Sequence, residues 1–223
     1  MSLSSLVNIP EEGHKEILCA AAACFSELGY CGTTIEKIAD KLGCTIGRIY
    51  HFYGTKMDLF LGVHQVGQEI CYNAVFPVYD SNSPALERLF DMSSEHVNVM
   101  IKSLKFQKVV RAGVEMHIRG ATTPAHRDKL DRIIGKRKNY SALFRDVMED
   151  ARGDGVLEYP DVGVAIQLLF MTLNSPAYWK KPPAMHSEKE TKEVVRHIVT
   201  YALSGLGIDK DSLSRLEERV QTQ

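Results

Sequence analysis

The residues with the most distinctive chemistry stand together in Thr45–His51, the segment TIGRIYH. This segment offers a hydroxyl group at Thr45, a guanidinium at Arg48, a phenol at Tyr50 and an imidazole at His51. A guanidinium fork matches the O6 and N7 acceptors of guanine, and hydroxyl or ring groups can donate to phosphate oxygens. These groups could act on one partner only if the fold presents them on one surface.

The sequence shows none of the common catalytic arrangements. It has no phosphate-cradling glycine loop, no H-E-x-x-H helix and no nucleophile elbow. The histidines are dispersed along the chain, and His117 with His126 would still lack further ligands if a turn brought them together. We therefore predict that the chain is not an enzyme and that it uses no cofactor and no metal.

The overall charge gives no general attraction to nucleic acid. The 223 residues are 44% hydrophobic and 25% charged, with a formal net charge of −1, which is typical of a soluble globular protein. Any basic surface must be local, and residues 37–56 hold four basic side chains, Lys37, Lys41, Arg48 and Lys56, with the acidic Asp40 among them. The acidic residues of the preceding segment, Glu11, Glu12, Glu16 and Glu27, could face away from such a partner.

The cysteines and the apolar segments predict a location. There are five cysteines, an odd number without a C-x-x-C pair, and the first residues lack the features of a signal peptide. We expect buried thiols in a reducing cytoplasm; a redox sensor is the alternative. The most apolar segment, 162–173, is shorter than the roughly 20 residues that a membrane span needs.

Helical periodicity runs through nearly the whole chain and predicts an all-α fold. The first helix should begin near Pro10 and end at Gly29, and later helices are expected near 84–104, 106–118, 124–152, 161–174 and 188–206. The tail from Asp209 is polar, which favours a frayed helix or disorder.

Two short helices are predicted before a long one. Thr33 and Glu36 form a T-x-x-E capping box at the start of the first short helix. Gly43 suits a tight turn with positive φ, and Thr45 is predicted to cap the second short helix. Thr55 with Asp58 predicts a further cap, starting a long helix from Lys56 toward Phe76.

This spacing fits a helix-turn-helix. Such a unit needs a small residue where its helices cross, here Ala39, and a turn glycine four positions later, here Gly43. It also needs apolar residues that hold the second helix down, and the candidates are Ile38, Leu42, Cys44 and Ile49. The second helix of the unit would lie in the major groove with its N-terminal residues at base edges.

The same stretch, TTIEKIADKLGCTIGRIYHFYGTKMDLF, resembles the N-terminal domain of the tetracycline-repressor (TetR) family of transcriptional regulators. The resembling positions are Thr33–Thr34, Ile38–Ala39, Leu42–Thr45, Gly47, Tyr50–Tyr53 and Lys56–Leu59, and His14 stands where members often have arginine. The resemblance implies a ligand-responsive repressor that binds a palindromic double-stranded DNA operator as a homodimer. It assigns DNA contact to Thr33, Thr34, Thr45, Ile46, Gly47, Arg48, Tyr50, His51 and Lys56. Phe52 or Tyr53 is expected to pack inward.

The resemblance also implies a division into domains. Residues 1–56 would form a three-helix DNA-binding domain, 57–208 a larger helical domain for ligand binding and dimerisation, and 209–223 a polar tail. The segment LFMTLNSPAYWKKP resembles a subgroup that regulates lipid, steroid and aromatic catabolism and tends to answer to acyl-CoA thioesters. The resembling positions are Leu173–Asn174, Trp179 and the basic-proline turn 180–182.

Two sets of residues are candidates within that larger domain. The effector pocket would be lined by His96, Met100, Val110, Phe144, Met148, Phe170 and Asn174, although such residues also serve as ordinary core. The dimer interface would use Ile166, Leu169, Leu173, Val194, Ile198 and Tyr201, unless these form an intramolecular core. Arg119, Arg137 and Lys138 could meet CoA phosphates or simply be solvated.

A second function stays open on the sequence alone. The chain could be an all-helical small-molecule sensor or interaction protein that does not bind an operator.

Overall fold

The computed structural model describes residues 12–120, 123–179 and 187–221, and these ranges contain helices and no β-strand. The all-α prediction is confirmed. The helices are α1 Glu12–Gly32, α2 Ile35–Leu42, α3 Ile46–Phe52, α4 Lys56–Tyr79, α5 Ala85–Lys102, α6 Leu104–Ile118, α7 Pro124–Gly153, α8 Val162–Leu173, a 3-10 helix Ser175–Tyr178, α9 Glu188–Ser204 and α10 Lys210–Gln221.

The chain forms two compact units. The first comprises the residues up to Ile70 together with Ser103–Arg137, and the second comprises Cys71–Lys102 together with the residues from Lys138 onward. Helices α4 and α7 therefore contribute residues to both units.

The core of the first unit is built on α1, which packs against α2 and α6. Ile17, Leu18, Ala21 and Phe25 recur along α1 at intervals that place them on one face, and all four are buried. The ring of Phe25 meets Phe60 of α4 edge-on, with 5.2 Å between the ring centroids. Burial of this apolar face fixes the helices that carry the polar segment Thr45–His51.

The helix α1 breaks at Gly29, which has φ 71°, a conformation that favours glycine. The break leaves backbone carbonyls to be satisfied, and the buried Thr33 hydroxyl is close to two of them, at 3.1 Å from Cys24 O and 2.8 Å from Gly29 O. Thr34 instead caps α2, with its Oγ1 accepting from the Lys37 amide at 3.3 Å. The predicted capping box was therefore wrong by one residue, because Thr33 points into the core.

A buried histidine packs directly against a glycine inside the first unit. His64 of α4 is fully buried, and burial lowers its pKa to about 4, so the imidazole is neutral at pH 7. Its ring lies where a Cβ at Gly113 of α6 would be, so any side chain at position 113 would overlap the imidazole. Gly113 is thus required for this close approach.

The core of the second unit joins α5, α8 and α9, and α10 packs on α9. Its fully buried members include Leu89, Phe144 and Val199. The polar tail expected from Asp209 forms helix α10, because Leu213 and Leu216 lie three residues apart on one face and both are buried.

We expect Gly113→Ala to destabilise the fold by about 1–3 kcal/mol, because the added methyl overpacks a site without space. Gly135→Ala on α7 is the matched control. A Cβ there meets no atom within 4 Å, so the helix preference of alanine should raise stability by about 0.5–1 kcal/mol. Urea unfolding followed by circular dichroism measures both values. Equal stability of the two variants would show that the His64 contact imposes no constraint.

Candidate functional site

The turn between α2 and α3 has the geometry that a helix-turn-helix requires. Gly43 is left-handed, with φ 67° and ψ 36°, and its N–H donates to Asp40 O at 3.2 Å while Cys44 N–H donates to Ala39 O at 3.0 Å. Ala39 is buried, and Ile49 of α3 is fully buried. These contacts hold the short helix α3 against α2, as the spacing predicted.

One side of α3 is open to solvent. Its exposed residues are Thr45, Ile46, Gly47, Arg48, Tyr50 and His51. Thr45 occupies the N-cap position of α3 in an extended conformation, but its side chain caps none of the helix amides, so the predicted side-chain cap was wrong. Its hydroxyl is therefore available to a ligand. The polar groups that the sequence singled out therefore share one accessible surface, called here the α3 face.

Three further residues predicted to contact DNA are not part of the α3 face, and they differ in burial and in hydrogen bonding. The Thr33 side chain is fully buried and engaged with carbonyls, so its assignment to DNA contact is corrected. Thr34 is exposed at the N-cap of α2. Lys56 Nζ donates to Tyr30 O at 3.0 Å and Thr33 O at 2.8 Å, which leaves one of its three N–H groups for another acceptor.

Two acidic residues of α1 pair with basic side chains of α2 and α3. Glu16 Oε2 accepts from Arg48 Nη2 at 2.7 Å, and Glu27 Oε2 accepts from Lys41 Nζ at 3.1 Å. Gly13 makes room for the first pair, since a Cβ there would lie 3.0 Å from Arg48 Nη2. The expectation that these acids could face away was wrong for Glu16, because its position on α1 places it opposite Arg48 of the α3 face. Glu27 pairs with Lys41 of α2 and Glu12 with Lys15, and Glu11 lies outside the described residues.

The basic side chains of residues 37–56 all have partners within the protein. Besides the pairs of Lys41 and Arg48 with carboxylates, Lys37 Nζ donates to Gly32 O at 2.8 Å. A nucleic-acid phosphate must therefore compete with internal acceptors. The exposed pairs are weak enough to exchange, since such pairs contribute about 0–1 kcal/mol.

His14, the residue that replaces the arginine frequent in the family, is part of a local polar contact. Its Nε2 lies 2.7 Å from Tyr53 Oη, and its ring stacks on Phe52 with 4.9 Å between centroids. Burial raises the pKa of Tyr53 to about 12. The prediction that Phe52 or Tyr53 packs inward is supported by this geometry.

In the second unit, four rings from three helices converge. They belong to His96 of α5, Tyr140 and Phe144 of α7, and Phe170 of α8, with centroid distances between 4.9 and 6.2 Å. We call these four residues the ring cluster. Three of them were predicted to line the effector pocket, and Tyr140 was not.

A hydrogen-bond chain runs through the ring cluster. His96 Nδ1 lies 2.7 Å from Tyr140 Oη, His96 Nε2 lies 3.3 Å from Asn174 Oδ1, and Asn174 Nδ2 donates to Phe170 O at 2.7 Å. An amide oxygen only accepts, so Nε2 donates to it, and in the neutral imidazole Nδ1 then accepts from the phenol. Burial raises the pKa of Tyr140 well above its usual value, which keeps its hydroxyl a donor.

Of the remaining pocket candidates, two lie in the second unit and one lies in the first. Met100 and Met148 are buried in the core of the second unit. Val110 belongs to the first unit, where it packs against Gly67, so it does not join the ring cluster. The basic-proline turn 180–182 lies outside the described residues.

The predicted dimer residues divide into two groups. Ile166, Leu169 and Leu173 are buried in their own subunit, so their assignment to an interface is corrected. The exposed face of α8 instead carries Val164, Leu168 and Met171, which are 60%, 59% and 70% exposed. On α9, Val194 and Ile198 are half-buried, and Tyr201 is 75% exposed. The sequence could not orient α8 because this helix is apolar on every side.

The sequence analysis missed three features, and they differ in whether a sequence pattern could have revealed them. Tyr140 lies four residues before Phe144, so the i, i+4 rule could have grouped the two rings. The exposed face of α8 follows the i, i+4, i+7 spacing of 164, 168 and 171. The Glu16–Arg48 pair joins residues 32 apart and had no local signal.

Within the described ranges, no group of three or more His, Cys, Asp or Glu side chains is arranged to hold a metal ion. Among the same residues, no helix has the length and apolar character needed to cross a membrane.

We expect Tyr140→Phe to destabilise the second unit by about 1–3 kcal/mol, because His96 Nδ1 loses its phenolic donor in a buried site. Tyr72→Phe, which removes the hydroxyl of an exposed tyrosine on α4, should leave the free energy of unfolding nearly unchanged. Urea denaturation of both variants is the measurement. If Tyr140→Phe equals the wild type, the hydrogen-bond chain contributes nothing to the fold.

Comparison with known proteins agrees with this geometry. A family model described as "Bacterial regulatory proteins, tetR family" matches residues 17–63, and one described as "Tetracyclin repressor-like, C-terminal domain" matches residues 82–206. The HTH-type transcriptional repressor AcnR of Corynebacterium glutamicum is 39% identical over 54 residues, which are 24% of this chain. The match spans only 29% of the length of that relative.

Solved structures show the same fold over most of the chain. The ketosteroid transcriptional regulator KstR2 of Mycobacterium tuberculosis has a TM-score of 0.75 at 20% identity, covering 92% of this chain and 100% of that one. AibR, solved in complex with isovaleryl coenzyme A and operator DNA, has a TM-score of 0.65 at 19% identity, covering 83% and 97%. Because the C-terminal family model alone matches more than half of the residues, the chain belongs to the tetracycline-repressor family.

Proposed function

We propose that this chain is a DNA-binding transcriptional repressor whose affinity for its operator is set by a small-molecule effector. The observation that carries the proposal is the α3 face. A short helix, fixed by the Gly43 turn and the buried Ile49, leaves Thr45, Arg48 and their neighbours open to solvent. This is the placement that readout in a major groove needs.

Each candidate DNA contact has a role that its chemistry supports. Arg48 is proposed to read guanine through O6 and N7, and Gly47 allows the backbone of α3 to approach the groove. Thr34, Thr45, Tyr50, His51 and the remaining N–H of Lys56 are proposed to bind phosphates, with Ile46 in apolar contact. Two subunits would place their α3 helices in successive major-groove turns, about 34 Å apart, on a near-palindromic site.

The dimer is proposed to form through α8 and α9. Val164, Leu168 and Met171 make an exposed apolar stripe on α8, and Tyr201 is an exposed aromatic side chain on α9. Large exposed apolar patches of this kind are typical of protein interfaces. Val194 and Ile198 are proposed to lie at the edge of the same interface.

The effector is proposed to bind at the ring cluster. Its aromatic side chains and single hydrogen-bond chain suit a ligand with an apolar body and few polar groups, which would enter by separating rings that are now in contact. An acyl-CoA thioester is one such ligand, and AibR, which shares the fold, was solved with isovaleryl coenzyme A. Lys138, which is exposed and belongs to the same unit, stays a candidate for its phosphates, whereas Arg119 and Arg137 belong to the first unit.

Helices α4 and α7 are the proposed route of coupling, because each runs without interruption through residues of both units. An effector that shifts these helices need change operator affinity by only about 1–3 kcal/mol to release the repressor. In the cell the protein is proposed to act in the cytoplasm.

One observation favours a second function. The cations near the α3 face already have partners within the protein. The same pairing is expected of a protein that senses small molecules and does not bind an operator.

Substitution of Arg48 and of its partner separates the two functions. On a duplex from the region upstream of its own gene, Arg48→Ala should weaken the specific complex by about 1–3 kcal/mol. Glu16→Gln should strengthen it by up to about 1 kcal/mol, because Arg48 loses a competing carboxylate. Fluorescence anisotropy at several salt concentrations measures both changes.

The control for this experiment is Glu12→Gln, the same charge change on the same helix at a carboxylate that pairs with Lys15. An equal gain in Glu12→Gln would assign the effect to net charge alone. Equal affinity of the wild type for the upstream duplex and a scrambled duplex would favour the sensor that binds no operator.

The dimer surface has its own test. Leu168→Asp combined with Met171→Asp should shift the protein from dimer to monomer in analytical ultracentrifugation, because two carboxylates would be desolvated in the interface. Ile118→Asp, at an equally exposed apolar residue of α6, should leave the mass unchanged. A dimer that survives the double substitution places the interface elsewhere.

A further inference from the structure

A cleft in the first unit belongs to neither the α3 face nor the ring cluster. It lies between α1, α4 and α7 and has a volume of about 560 Å³. Ligand pockets commonly measure about 300–1,000 Å³, so this cleft is large enough for a small molecule.

The floor of the cleft is apolar. Leu18 of α1, Leu61 and Val66 of α4, and Ile133 of α7 line it, and all four are buried. The backbone at Gly62 also forms part of the lining. A ligand on this floor would bury an apolar body against side chains that are already packed.

The rim of the cleft on α7 is basic. Lys129, Arg132 and Lys136 line it at positions i, i+3 and i+7, a spacing that places them on one side of the helix. Lys129 Nζ pairs with Asp58 Oδ1. Within the described chain, Arg132 and Lys136 are exposed and have no ion-pair or hydrogen-bond partner.

The two carboxylates of the cleft offset two of its three basic side chains, so a net positive charge remains. Of the two carboxylates, Asp58 is paired with Lys129, and Glu69 accepts a hydrogen bond from Gln65 Nε2 at 2.7 Å. His14 and Tyr53 hydrogen-bond to each other. An anion entering the cleft would therefore meet Arg132 and Lys136 without first displacing an internal carboxylate from them.

We infer that this cleft is a binding site for a small molecule that joins an apolar body to a phosphate group. The guanidinium of Arg132 provides a planar fork that matches two phosphate oxygens, and Lys136 adds a point charge one turn away. The apolar body lies on the floor formed by Leu18, Leu61, Val66 and Ile133. The site is separate from the proposed effector site, and its chemistry does not depend on DNA binding.

The probe for this site is 1-naphthyl phosphate. The comparison ligands are 1-naphthol, which has only its apolar body, and inorganic phosphate, which has only its charged group. Isothermal titration of the full chain should show that 1-naphthyl phosphate binds more tightly than either comparison ligand. The double variant Arg132→Gln with Lys136→Gln should lose about tenfold in affinity for it, because both phosphate contacts are removed. Circular dichroism establishes that the variant is folded.

The matched control is Lys189→Gln with Lys192→Gln, which removes the same charge from exposed positions on α9 outside the cleft. It should bind 1-naphthyl phosphate as the wild type does. Three results would overturn the inference: 1-naphthol binding as tightly as its phosphate ester, equal loss in the control, or full affinity in the double variant. DNA binding is unaffected by any of them, so the proposed repressor function stands or fails separately.

Discussion

The left-handed turn at Gly43 is the constraint on which the α3 face depends. The helix α3 has seven residues, and an isolated helix shorter than about 12–15 residues is marginal in water. Its position comes instead from the turn and from Ile49, which is fully buried. Without the positive φ at Gly43, the amides of Gly43 and Cys44 could not close onto α2, and the polar residues of α3 would have no fixed direction.

The basic side chains near the α3 face are paired with groups of the protein itself rather than left free for DNA. Glu16 and Glu27 supply carboxylates to the cations that a phosphate would seek. Such exposed pairs exchange readily with solvent and with other anions. Affinity for a nucleic acid would then reflect the difference between two sets of ion pairs, which favours discrimination between sequences over strong general attraction.

The sequence predicted features governed by local chemistry and missed those set by tertiary contacts. The turn at Gly43, the cap at Thr55 and the start of α4 follow from short-range hydrogen bonding, and the structure has all three. The cap at Thr33 was misplaced because carbonyls near Gly29, in a different helix, use its hydroxyl. The inward face of α8 could not be read from a helix that is apolar on every side, so buried Leu169 was mistaken for an interface residue.

The hydrogen-bond chain in the ring cluster has a direction, and this direction restricts what can enter. Each donor, from Tyr140 through His96 to Asn174, points the same way. A ligand that separated Tyr140 from His96 would leave the phenol hydroxyl and the imidazole Nδ1 buried without a hydrogen-bond partner. A saturated hydrocarbon can satisfy neither, whereas a carbonyl oxygen can accept from the phenol. Two ligands of equal shape would therefore bind with different affinities if only one of them places a hydrogen-bond acceptor at the phenol. This selection would precede any movement of the helices.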